Sequence, residues 1–246
     1  MSVPESATPI TDALGRFLDE LEYRFDQRPA NDPMDPFPLG TGVAALDRAF
    51  GGGLRIGSVT LLDADLDAQA TAVISTIARQ IDHRVLLDTS SVVRAAGRVL
   101  AAQADVAAAL VWNGQLSDAE WDDIIAAVGV LAAHDLLLSA AGSLGELERI
   151  ASSSGSVVVL VDGLTRYGPP ATVLQELGWL AARASVAVVA TSSRIGDLPD
   201  WATGRVNHVH MCASMLGART ALIRTDPVDL LRITHLDLDC ITGVIA

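Results

Sequence analysis

The sequence contains no lysine: all 17 of its basic residues are arginine. That absence excludes Schiff-base chemistry on a lysine and any phosphate loop whose β- and γ-phosphates are gripped by an ammonium group. Basic residues are few beside the 30 acidic ones, and the formal charge of −13 argues against a broad nucleic-acid-binding face. A local basic patch stays compatible with that balance. Cysteine is nearly missing; Cys212 and Cys240 make no disulfide framework, so the cytoplasm is the expected compartment. No apolar run approaches the length of a transmembrane helix. MSVPESATPI lacks a basic stretch followed by an apolar one, so no secretory leader is expected. No G-x-S-x-G elbow occurs, which leaves a serine-hydrolase reading without support.

What is present is apolar sequence in alternating periods. Half of the 246 residues are hydrophobic, enough for one large α/β domain with a tail. Short buried strands are expected at 59–62, 85–87, 136–138, 157–161 and 186–191. Helical spacing falls between them, at 68–81, 91–104, 117–133, 144–151 and 171–184. Ser117 with Glu120 forms a capping box. Stretches 206–211, 220–224 and 231–239 read as antiparallel-type strands. The alternation implies a mostly parallel sheet covered by helices on both faces.

Residues 1–37 form a separate unit in this reading, and 38–246 the main domain. Thr8 and Pro9 can open a helix, and Ile10, Leu14, Phe17, Leu18, Leu21 and Phe25 fall on one stripe. The helix spans 10–28, before a proline-rich linker over 29–38. Two destinations stand for it: back onto its own domain, or onto a neighbouring subunit.

The junction between the first strand and the next helix has the place of a phosphate loop without its parts. Laid over GxxxxGK[ST], residues 64–71 read ADLDAQAT. The glycine positions hold Ala64 and Gln69, the lysine position holds Ala70, and only Thr71 fits. Asp63, Asp65 and Asp67 stand where a polyphosphate would lie, unless they simply face solvent. A carboxylate about 6 Å from a phosphate charge costs roughly 3 kcal/mol at an effective dielectric near 20. Asp162 closes an apolar run and is otherwise an ordinary strand-end carboxylate. His208, His210 and Cys212 alternate on one strand and His235, Asp237 and Asp239 on another, a conceivable metal site if those strands pair. A polar strand face explains them equally. Arg94, Arg98 and Arg194 read as contacts to a partner or to strand phosphates, or as solvated surface.

PLGTGVAALDRAFGGGLRIGS resembles the entry to the core domain of DnaB-type replicative helicases and other RecA-like ATPases. RVLAAQADVAAALVWNGQLSDAEWDDI, residues 98–124, is similar to the DnaB type in particular, and SVVVLVDGL resembles its Walker B strand. VAVVATSSR looks like the strand after it. The resemblance covers roughly residues 10–195 and implies a RecA-like fold. It also implies a linker helix at 10–28 that packs on the adjacent ring subunit; the family's separate N-terminal domain finds no counterpart here. By the same resemblance Asp162 takes the magnesium-holding Walker B position, the catalytic glutamate falls on Thr89, and the sensor glutamine falls on Ser193. Asp88, beside Thr89, would face the wrong way. Arg219 and Arg224 lie in the third where an arginine finger belongs, without a convincing match. The expectation is a RecA-like protein that no longer hydrolyses ATP, needs no cofactor, and joins a replication or recombination assembly through protein contacts. Two alternatives stay open: an ATP-dependent helicase with a divergent loop, using ATP and magnesium, and a RecA-like accessory factor of DNA repair.

Overall fold

The computed structural model describes residues 38–64, 67–193, 206–213, 219–225, 231–239 and 244–245. The predicted helix at 10–28 and its linker lie outside the described residues, as do Asp65 and Arg194. The account below concerns the unit Pro38–Ala246.

After a short helix, α1 (Ala44–Ala49), the chain enters β1 (Val59–Ala64), α2 (Asp67–Gln80) and β2 (Val85–Asp88). Three helices follow, α3 (Val92–Ala104), α4 (Ala108–Asn113) and α5 (Asp118–Ala132), and then β3 (Leu136–Ser139). Next come α6 (Leu144–Ser154), β4 (Val158–Val161), a 3-10 turn (Leu164–Tyr167), α7 (Pro170–Ala184) and β5 (Ala187–Ser193). The described strands end with β6 (Val206–Ala213), β7 (Arg219–Thr225), β8 (Leu231–Asp239) and β9 (Val244–Ile245).

Local chemistry sets most boundaries. Ser91 caps α3 by accepting the Arg94 N–H, and Ser143 does the same for α6 through Glu146. Ser117 and Glu120 form the expected capping box on α5. Those two bonds hold the exposed Glu120 carboxyl below its usual range. Pro170 opens α7, where its missing N–H costs nothing, and Gly155 closes α6 in the left-handed region.

The strand order is β3-β2-β4-β5-β1-β6-β7-β8-β9. The first six are parallel to their neighbours. From β6 onward the pairing turns antiparallel. The antiparallel-type reading of 206–211 holds on one side of the strand only. Strand β6 pairs parallel with β1 on one side, Leu61 opposite His208, and antiparallel with β7 on the other. Strand β7 also separates β6 from β8, so the two histidine-bearing strands do not pair. No cluster of metal-ligating side chains occurs among the described residues.

Side-chain alternation splits the core into two layers. Leu62, Leu87, Leu160 and Val189 pack with Val73, Ile74 and Ile77 of α2 and Val99 of α3 on one face. Leu61, Leu86, Val159, Val161 and Val188 pack with Leu147 of α6 and Leu174 and Leu177 of α7 on the other. A buried leucine or isoleucine here is worth about 1.5–3 kcal/mol over its exposed state. In such open parallel sheets the crevice at the carboxyl ends of the strands, where the order reverses, is the place for a ligand.

Candidate functional site

The carboxyl ends of β1, β4 and β5 meet in that crevice. Ala64 closes β1 opposite Ser193, the last residue of β5. Thr71 lies one turn into α2, and Asp162 directly follows β4. The Thr71 hydroxyl donates to Asp162 Oδ1 at 3.2 Å. The fold therefore brings the sequence-selected positions together in two pairs, Ala64 with Ser193 and Thr71 with Asp162.

The remaining positions show what has become of the cradle. Ala70, at the lysine place, is 2% exposed and belongs to the core face that includes Val73 and Leu62. A longer charged side chain there would meet packed hydrocarbon. Gln69, at the second glycine place, is buried too. Asp67 opens α2. Asp63 does not face solvent in an open loop: β1 extends through Ala64, and Asp63 is 3% exposed with His208 Nε2 3.9 Å from its carboxylate. Thr89 is buried, and its N–H is spent on the Ser139 carbonyl.

Asp162 is not a free strand-end carboxylate. Its Oδ2 accepts from Arg98 Nη2 at 2.5 Å, with the two side chains 31% (Arg98) and 14% (Asp162) exposed. This corrects the picture of Arg98 as a solvated or partner-facing residue, while Arg94, one turn earlier, is exposed as expected. A magnesium ion sits 2.0–2.1 Å from its carboxylate oxygens in near-octahedral geometry. Facing a guanidinium at about 4 Å, each unit of ionic charge meets roughly 4 kcal/mol of repulsion at an effective dielectric near 20, before screening. The described residues do not fit a magnesium nucleotide: there is no ammonium, Ala70 at the lysine place is buried, and the Asp162 carboxylate is already paired with Arg98.

A second internal pair closes the end of β2. Asp88 is completely buried; Ser139 Oγ and the Ala141 N–H donate to Oδ1 at 2.6 and 3.0 Å. The Tyr167 hydroxyl donates to Oδ2 at 2.5 Å, and the Arg166 guanidinium bridges to the same oxygen. Arg166 also lies 4.4 Å from the Tyr167 ring centroid. Burial lowers the Arg166 pKa, and burial raises that of Tyr167. Through these contacts Asp88 ties β2 to the end of β3 and to the 3-10 turn.

Sequence reasoning singled out Arg98 without its carboxylate partner, and it missed Arg166 and Tyr167. Arg98 had one visible signal, since it flanks the buried helical stripe Ala95, Val99 and Ala102. It also missed how much apolar surface α5 leaves open: Trp121, Ile125 and Val128 are 55%, 54% and 48% exposed.

Residues 38–137 match a protein family described only as a family of unknown function, DUF7125. No curated protein matches the chain in sequence. Among solved structures, the ATPase domain of G40P superposes with a TM-score of 0.72 at 14% identity, covering 98% of this chain and 99% of that one. A DnaB-like replicative helicase, solved with a view to its interactions with primase, superposes with a TM-score of 0.71 at 13% identity. That match covers 97% of this chain and 71% of the other. The chain therefore has the RecA-like fold of DnaB-type helicase ATPase domains.

Proposed function

We propose that this chain is a RecA-like scaffold that neither grips nor hydrolyses ATP, and that serves as a protein partner or modulator in a DNA replication or recombination assembly. The observation that carries the reading is the Asp162 carboxylate. It is held by Arg98 at 2.5 Å and by Thr71 at 3.2 Å, beside a lysine position packed into the core as Ala70. Phosphoryl transfer depends on positioning and on cationic clamps, and the clamp here is turned inward.

The apolar stripe of α5 supports a role through surfaces. Trp121, Ile125 and Val128 recur at helical spacing, largely exposed, on a helix that carries Asp118, Glu120, Asp122 and Asp123 and no basic residue. Contiguous exposed apolar surface rimmed by charge marks protein contact sites. A ring-type neighbour or a related helicase subunit is the class of partner that the fold favours. The chain's own segment 10–28 is a further contributor to such contacts. No helix among the described residues is long and apolar enough to cross a membrane, and action in the cytoplasm belongs to this proposal.

The Thr71–Asp162 contact favours a second reading, an ATP-dependent helicase with a divergent loop. Turnover of ATP with and without single-stranded DNA separates the two. No magnesium-dependent hydrolysis above buffer is expected. Clear hydrolysis that disappears in Asp162→Ala would overturn the scaffold reading.

A further inference from the structure

We infer that a cavity at the amino ends of β1 and β6 is a site for one uncharged planar heteroaromatic ring, stacked on Trp179. It lies at the opposite end of these strands from the crevice of Asp162, and it stands whether or not that crevice takes a nucleotide.

The cavity holds about 370 Å³ between α7 and the start of β1. Pockets that enclose small ligands span about 300–1,000 Å³. Its helix wall is Leu174, Gln175, Gly178 and Trp179. Residues four apart are neighbours on a helix surface, so Leu174 lies beside Gly178 and Gln175 beside Trp179. One corner of that square has no side chain, and this makes the notch. Gly178 stands inside α7, where glycine is less stable than alanine. A Cβ there would meet nothing within 4 Å, so no neighbour among the described residues demands the glycine. Beside it Trp179 is 53% exposed, whereas Leu174, Leu177 and Leu180 of the same helix are buried. Gly57, in the turn before β1, also has open space where its Cβ would be. Val59 and Val206, register partners on β1 and β6, line the sheet side.

The polar groups restrict the ligand. The Gly57 N–H donates to the Val186 carbonyl, and the Ser58 N–H and hydroxyl both donate to the Arg55 carbonyl. Those donors are spent inside the chain, and none of the eight described lining residues is charged. Nothing in the lining compensates an ion, and burying an unpaired charge is costly. The exposed Gln175 amide both donates and accepts, which suits the edge of a heteroaromatic ring. The Trp179 ring offers a face for offset stacking.

The test uses the four tryptophans, whose indole N–H resonances are read in the isotope-labelled full chain. Trp179→Phe identifies the signal of Trp179. The probes are indole and its anionic derivative indole-3-acetate. Indole is expected to move the Trp179 resonance saturably and to leave the other three in place, and indole-3-acetate to bind more weakly. Gly178→Leu, which puts a side chain in the notch, is expected to keep or raise the Tm and to abolish the shift. N-acetyltryptophanamide sorts the source of the ring: tighter binding than indole assigns it to a side chain of a partner protein, weaker binding to a free small molecule. The inference is overturned by no saturable shift, by a shift shared equally among the four resonances, or by equal binding of the anion. A shift that persists in Gly178→Leu also overturns it. Should Gly178→Leu fail to fold, Trp179→Leu decides through saturation transfer from protein to indole: lost transfer supports the inference, and retained transfer sinks it.

Discussion

Removing the Tyr167 hydroxyl should loosen the end of β2 by a measurable and bounded amount. The hydroxyl donates to Asp88 Oδ2 at 2.5 Å and accepts from Arg166 Nη2 at 2.9 Å. A hydrogen bond to a charged group contributes about 1.5–3 kcal/mol. In a domain of this size each kcal/mol moves the Tm by about 2–4 °C, so Tyr167→Phe is expected to melt about 3–12 °C lower. Asp88→Ala is the stronger perturbation, since it strands the Ser139 hydroxyl, the Ala141 N–H, the Tyr167 hydroxyl and the Arg166 guanidinium together. Breaking a buried pair from one side costs about 3–5 kcal/mol, which corresponds to about 6–20 °C. Urea titration gives the same ordering as a fall in the midpoint at unchanged slope. If both variants unfold within about 0.5 kcal/mol of the wild type, the range of an ordinary surface substitution, the lock does not exist.

The remaining expectations are more compact. Because burial sets the Tyr167 pKa above its unfolded value of 10.0, its stabilisation is complete below that pH and is lost as pH rises through the folded value. Wild-type stability should therefore fall more steeply than that of Tyr167→Phe above about pH 10, and parallel curves would contradict the assignment. A Cβ on Gly97 would lie 2.6 Å from Cζ2 of Trp112, so Gly97→Ala should cost about 1–3 kcal/mol by overpacking and shift the tryptophan emission. Restoring the loop's ammonium by Ala70→Lys buries a charge in the core, so this variant should lose stability without gaining a nucleotide response. Replacing Trp121 and Ile125 by serine should leave the unfolding free energy within about 0.5 kcal/mol of the wild type, since both are more than half exposed. The same change should abolish whatever association α5 mediates, read by sedimentation of the full chain with its captured partner.

The parts of the fold written locally were legible in the sequence. Ser117 and Glu120 announced α5, the helical spacing at 171–184 announced α7, and the apolar runs before Asp88 and Asp162 announced β2 and β4. The departure from the phosphate-loop motif could be read for the same reason, because Ala64, Gln69 and Ala70 stand at its glycine and lysine places along one short stretch of chain. What escaped depends on contacts between distant segments. Arg98 looks like any helix-surface arginine until strand order brings β4 under α3. Asp63 looked like a loop residue because a carboxylate inside a buried strand runs against hydrophobic patterning. Strand β6 alternates like an antiparallel strand, yet it sits at the boundary between two kinds of pairing and satisfies both.

The most direct measurement is calorimetric titration of the full chain with a non-hydrolysable ATP analogue in magnesium. An arginine already paired with Asp162 and a buried alanine at the lysine place predict no binding heat, and no rise in Tm at saturating analogue. A ligand at 100 times its dissociation constant would add about 2.7 kcal/mol, well within detection. Micromolar binding that is lost in Thr71→Ala would contradict the account.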